Sequence, residues 1–171
     1  FLKNIKKTHP TCQKDNEKFL EYISQINLNN VDLIYFVSGW DDQSLQNVYY
    51  LINYLSEYKN KLVLVGSAKF TDILRSGYTI AKNKNLKKDK LFYLFFKKID
   101  KTNKSVNEKL KNIATKHNIK FFDEYSIYCK NKKCKIFDDK YNLYFWDSDH
   151  LTIYGSKFFG QELFKLIYKN K

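Results

Sequence analysis

Between Phe145 and Gly155 the chain reads FWDSDHLTIYG, which sets Asp147, Asp149 and His150 inside four consecutive positions. An aspartate three residues ahead of a histidine can fold back within one turn. The Asp147 carboxylate then meets Nδ1 of His150 and leaves Nε2 free to take a proton. Such a contact raises the basicity of the imidazole and fixes its tautomer, which a general base serving a serine hydroxyl requires. Asp149 is expected to point elsewhere. Ordinary helix capping is the alternative, because acidic residues ahead of a helix favour its positive end and a histidine there can simply be exposed.

The elements that position this segment show in the hydrophobic pattern. Three apolar, β-branched and aromatic runs, VDLIYFV (31–37), KLVLVG (61–66) and IKFFDEY (119–125), have the character of parallel strands covered on both faces. Between them run helical periods, with Leu45, Val48, Ile52 and Leu55 on one stripe and Val106, Leu110, Ile113 and Ala114 on another. A further helix is expected around Phe19, Leu20 and Ile23. The last helix is predicted over 153–168, with Thr152 as N-cap and Phe159, Leu163, Leu166 and Ile167 on its buried stripe. Gly155 and Gly160 are expected to let that helix approach the sheet closely. Strands alternating with helices imply right-handed crossovers, a parallel sheet and a three-layer α/β domain. Residues 69–101 are less legible: KLFYLFFKKI has the pattern of an amphipathic helix, a lid or a partner-binding stripe, and a helix packed on its own core is favoured.

In open parallel sheets, ligands gather beyond the carboxyl ends of the strands. SGWDD (38–42), GSAKF (66–70) and the Asp147–His150 loop are therefore expected to converge.

At 171 residues the chain suits one domain. Its net charge of +13 raises the question of a polyanionic partner. The lysines, however, are spread along the chain and Arg75 is the only arginine, so no specific nucleic-acid site is expected. No run approaches the ~20 apolar residues of a membrane-spanning helix. With no methionine, the chain is expected to be a fragment or a processed product. Of its three cysteines, Cys129 and Cys134 flank a four-residue polar loop suited to a local disulfide, which would place the domain outside the cytosol. Zinc would need four ligands, with only His9, His117 and His150 to add, and inert thiols are the third option.

WDSDHLTIYGSKFFGQEL resembles the last conserved block of the SGNH hydrolase superfamily. More narrowly, the Cys129–Cys134 loop, the following YNLYFWDSDHLT and the strand-plus-tryptophan VDLIYFVSGW resemble the SGNH domain fused to the C-terminus of family-3 membrane acyltransferases. These are bacterial envelope proteins associated with O-acetylation of lipopolysaccharide O-antigen and other glycans. The resemblance covers most of Cys12 to Leu166. It implies a flavodoxin-like three-layer fold lacking its N-terminal strand or strands, with residues 1–171 as one domain. It makes His150 the general base and Asp147 its orienting carboxylate.

Gly39, Trp40 and Asp41 correspond to the oxyanion and substrate loop, where the superfamily has Gly-x-Asn-Asp. Aspartate replaces the asparagine, and an ionised carboxylate cannot donate the hydrogen bond that an amide gives an oxyanion. The superfamily's nucleophile block, Gly-Asp-Ser, does not occur in the chain. Ser38 and Ser67 stand at strand ends, but neither opens the required turn, so the nucleophile is expected upstream and the fragment alone is expected to be inactive. The resemblance implies acyl, chiefly acetyl, transfer to a glycan acceptor, with the acyl donor delivered by an upstream membrane domain and no metal or dissociable cofactor. Trp40, Trp146 and Tyr144 are candidates for sugar stacking. A stand-alone carbohydrate esterase and a non-catalytic glycan- or polyanion-binding module are the alternatives.

Overall fold

The computed structural model describes residues 21–71 and 85–168, together with Lys18. Three strands, β1 (Ile34–Phe36), β2 (Leu62–Val65) and β3 (Lys120–Phe122), form a parallel sheet in that spatial order. Ile34 pairs with Leu62 and Val63 with Lys120, which fixes the two registers. The strands are shorter than the apolar runs that predict them. The first two runs carry on past their last ladder residues into loops, whereas the third enters a short helix at Glu124.

Alternation along β2 separates the layers. Leu62 and Leu64 belong with Phe36 to a core shared with α1 (Asp42–Tyr54) and α3 (Thr102–Lys116), through Val48, Ile52, Leu110 and Ile113. Val63 and Val65 face the other way, where Phe122 receives Phe159 and Leu163 of α5 (Ile153–Tyr168). The sheet is thus sandwiched between α1 and α3 on one side and α5 on the other, a three-layer α/β arrangement. All four β2 residues are buried, as expected of a strand covered on both faces.

A separate core accounts for the segment that was hardest to read. Helix α2 (Lys88–Phe96) buries Leu91 and Phe95 completely against Ile136, Phe137 and the Cys129–Cys134 disulfide. It is a helix packed on its own core. The disulfide closes a hairpin of β4 (Cys129–Lys130) and β5 (Lys133–Cys134), which follows the short helix α4 (Glu124–Tyr128). Asn131 and Lys132 both have positive φ, 50° and 58°, as a tight two-residue hairpin turn demands.

Helix α5 has its predicted bounds, and Thr152 caps it by accepting from the Gly155 N–H at 3.1 Å. Three details differ from expectation. Gly155 approaches the Tyr144 backbone rather than the sheet, and a Cβ there would run into the Tyr144 carbonyl. Gly160 has open space around it. Leu166 lies on the exposed side of α5. Near the amino end, residues 21–24 are helical and Ile23 packs on the first core. Phe19, Leu20, His9, Cys12, Arg75 and the side chain of Ile167 lie outside the described residues.

Candidate active site

Residues 146–150 form a tight loop closed at its base by the Phe145–Leu151 bridge and by the Trp146 N–H donating to the His150 carbonyl at 2.7 Å. Asp147 organises its interior. Its Oδ1 accepts from the backbone N–H groups of Asp149 at 3.1 Å and His150 at 2.8 Å. The same carboxylate holds the His150 ring, with Nδ1 at 2.9 Å from Oδ1 and 2.8 Å from Oδ2.

The electrostatic consequences follow from these contacts. The backbone N–H of His150, and then that of Asp149, hold the Asp147 carboxyl down at about 2. The hydrogen bond and charge of Asp147 raise the imidazole of His150 above its ordinary value, with Asp149 adding to the rise. With Nδ1 committed, Nε2 points away from the carboxylate, and the side chain is 78% exposed. A carboxylate-backed imidazole with a free outer nitrogen is equipped to move protons to and from a hydroxyl.

The three loops converge at the carboxyl ends of the strands. The Phe70 N–H donates to the Ser148 carbonyl at 2.9 Å, tying the loop after β2 to the histidine loop. Trp40 Nε1 donates to the Val65 carbonyl at 2.6 Å, tying the loop after β1 to the end of β2. Gly39 lies against Lys69, since a Cβ there would stand 3.1 Å from Lys69 Nζ.

Several sequence-predicted residues take other positions than expected. Asp149 does not point away: its Oδ1 is 3.5 Å from His150 Nδ1 and its Oδ2 is 3.8 Å from Lys69 Nζ. Trp40 turns inward, 7% exposed, and anchors its loop from within the core instead of offering a sugar platform. Tyr144 is buried too, stacked on Phe158 with ring centroids 4.7 Å apart, whereas Trp146 is 75% exposed. Asp41 serves as the N-cap of α1, with Oδ1 accepting from the Ser44 N–H at 2.7 Å in a capping box. Ser67 is buried and its hydroxyl donates to Asn103 Oδ1 at 3.0 Å, which makes it a structural serine; Ser38 is exposed.

Polar residues unnoticed in the sequence hold the loop after β2. Asn107 Oδ1 accepts from the Ser67 N–H at 3.0 Å, while its Nδ2 donates to the Ser67 carbonyl at 3.0 Å and to Asp123 Oδ1 at 3.1 Å. Gly66 leaves the room this needs, because a Cβ there would sit 2.9 Å from the Asn107 amide. Asn103 donates to the carbonyls of Lys69 and Asp100, both at 3.2 Å. Behind them Glu124 is buried; desolvation pushes its carboxyl up to about 8, despite the Ala68 N–H that it accepts. One clue was available: Asn103 and Asn107 lie on the stripe that continues through Val106 and Leu110, where a solvated helix face would not put them.

Asp147, Asp149 and His150 each bring one potential ligand atom within 4.8 Å of the others. Asp147 Oδ1 already accepts from two backbone N–H groups and Lys69 lies at Asp149, so these oxygens are engaged within the protein itself. Among the described residues, no helix is long and apolar enough to cross a membrane.

Comparison with solved structures finds the periplasmic domain of the Salmonella ser. Paratyphi A lipopolysaccharide acetyltransferase, with a TM-score of 0.60 at 15% sequence identity. The match covers 79% of this chain and 55% of that one, so the present chain spans little more than half of that domain's length. At this identity the likeness concerns the fold. No curated protein matches the sequence. The family model described as "SGNH domain (fused to AT3 domains)" matches residues 2–165, nearly the whole chain. On that match the chain belongs to the family of SGNH domains fused to AT3 domains.

Proposed function

We propose that this domain works outside the cytoplasm as the acyl-transfer module of an envelope acyltransferase, moving an acetyl group to a glycan hydroxyl through a serine ester. Family membership supports the acyl-transfer or esterase kind of activity. The observation that carries the proposal is the paired contact of both Asp147 oxygens with His150 Nδ1, which leaves Nε2 outward. The Cys129–Cys134 disulfide favours an oxidising compartment. The serine, the membrane anchor and the supply of acyl donor belong in this proposal to segments N-terminal to Phe1.

In the first half-reaction the serine Oγ attacks the acyl carbonyl while His150 Nε2 takes its proton, and Asp147 stabilises the imidazolium. Collapse of the tetrahedral intermediate expels the donor's leaving group with that proton. A glycan hydroxyl, deprotonated in turn by Nε2, then attacks the serine ester and regenerates the enzyme. Trp146, exposed one residue from Asp147, is the aromatic left to receive a sugar ring.

The test is acetyl transfer and p-nitrophenyl acetate hydrolysis by the complete protein, wild type against His150→Ala. Loss of the base should lower kcat by about 10²–10⁴-fold. Retention of activity within about threefold of wild type would refute the assignment of His150 as general base. Transfer with little hydrolysis marks a transferase; the reverse marks an esterase.

A further inference from the structure

Acyl transfer needs a donor for the negative oxygen that forms on the carbonyl, and Asp41, at the amide position of its loop, has none to give. Lys69 stands in the same corner. Gly39 lacks a positive φ, so backbone freedom does not explain the glycine. What its missing side chain leaves is room: a Cβ would stand 3.1 Å from Lys69 Nζ and 3.4 Å from Cε. From the other side Asp149 Oδ2 lies 3.8 Å from Nζ, an ion pair too long for a hydrogen bond. The ammonium is therefore held in place with its protons uncommitted to Asp149.

The backbone beneath it is fixed. The Lys69 carbonyl accepts from the Asp100 N–H at 2.8 Å and from Asn103 Nδ2 at 3.2 Å, and the next residue's N–H donates into the histidine loop at Ser148. Asp147 and Asp149 put two carboxylates in the loop that this N–H joins, an environment that opposes an oxyanion unless a cation offsets it.

Building on the acyl-transfer mechanism, we propose that Lys69 is a catalytic residue whose ammonium, seated over Gly39, donates to the oxygen that becomes negative on the acyl carbonyl. As the serine Oγ bonds to the carbonyl carbon, its proton passes to His150 Nε2 and the C=O π pair moves onto oxygen. Lys69 donates a hydrogen bond to that oxygen and keeps its three protons. When the pair returns, the bond from carbon to the leaving group breaks and the leaving group takes the proton from His150. Lys69 thus supplies the side-chain donor that the aspartate at position 41 lacks.

The complete protein is assayed with p-nitrophenyl acetate as wild type, K69Q, K69C, D149N, the K69Q/D149N double variant and H150A. K69Q should lower kcat by about 10²–10³-fold with KM within about threefold of wild type, as expected when a donor used in the transition state is lost. K69C should be equally slow and regain activity on alkylation with 2-bromoethylamine, which rebuilds an ammonium at the same reach; treated wild type controls for Cys12. The proposal is overturned if H150A is inactive while K69Q keeps kcat within about threefold of wild type, or if aminoethylated K69C stays slow. It is also overturned if D149N matches the K69Q loss and the double variant adds nothing, since Lys69 would then only support Asp149. An H150A protein as active as wild type would instead refute the acyl-transfer mechanism, and the role of Lys69 with it.

Discussion

Replacing Asn107 by alanine tests how the loop carrying Lys69 is held. The amide pairs with both backbone groups of Ser67, accepting from its N–H and donating to its carbonyl, each at 3.0 Å, as a neighbouring strand would. Ser67 is 6% exposed, so both groups lose a partner in a place that water reaches poorly. An unsatisfied buried backbone group costs about 1–3 kcal/mol, and a water entering the vacated space recovers part, which gives a net loss of about 3 kcal/mol. For a domain of this size that corresponds to a fall in Tm of about 6–12 °C. Urea unfolding followed by circular dichroism and thermal unfolding by calorimetry measure it. Asn107→Asp sharpens the test: it keeps the acceptor for the Ser67 N–H but turns its second oxygen toward the Ser67 carbonyl and Asp123. That variant should be destabilised at neutral pH and should recover as acid protonates the new carboxyl, which can then donate. A loss below about 1 kcal/mol for Asn107→Ala, or no acid recovery for Asn107→Asp, would refute the argument.

Three further outcomes are expected. Gly155→Ala, which in an open helix would gain up to about 1 kcal/mol, should instead lower the urea midpoint because the new Cβ meets the Tyr144 carbonyl; a stabilised variant would contradict that packing. Folded Glu124 keeps its proton up to about pH 8 while the unfolded carboxyl ionises near 4.5, so the folded state holds the extra proton in between and stability falls as pH rises through that window. At about 1.4 kcal/mol per pH unit the full fall is about 5 kcal/mol, and Glu124→Gln should flatten it in urea titrations from pH 4 to pH 9. Asp147→Asn removes the charge that raises His150 and leaves at most a weaker, neutral acceptor at its Nδ1. The residual activity of the complete protein should therefore keep an ascending pH limb, lower in height and displaced to lower pH, read from kcat/KM profiles.

What the sequence disclosed follows the range of the interactions involved. The β2 run was legible because all its residues are buried, and α5 because Thr152 caps it and its first turns follow the helical period. The Asp147–His150 contact was legible for the same reason: a three-residue spacing closes within one loop, whatever the rest of the fold does. Side-chain direction across loops was not. Trp40 and Trp146 are both tryptophans in loops beside the site, yet one anchors in the core on the Val65 carbonyl and the other is largely exposed. Nothing local distinguishes them. Asp149 was misjudged because its carboxylate is shared between its own loop, where Ser148 Oγ donates to Oδ1 at 3.0 Å, and Lys69, 80 positions earlier in the chain.

This division bears on how the site works. The base and its carboxylate form a self-contained unit: every bond that aims the His150 ring comes from residues 146–150. The cation beside it has no such independence. Lys69 keeps its place only while Asn103 and Asn107 hold residues 67–69 to α3, Gly39 leaves room for the ammonium, and the Phe70 N–H joins Ser148. Damage to α3 should therefore separate the two functions. In Asn107→Ala at a temperature where the protein remains folded, the Asp147 contact persists and the His150 ring keeps its raised titration in an NMR experiment, while kcat falls because the ammonium is no longer fixed over Gly39. If the two declined together, proton transfer and charge stabilisation would share one support, and the independence of the 146–150 loop would have to be abandoned.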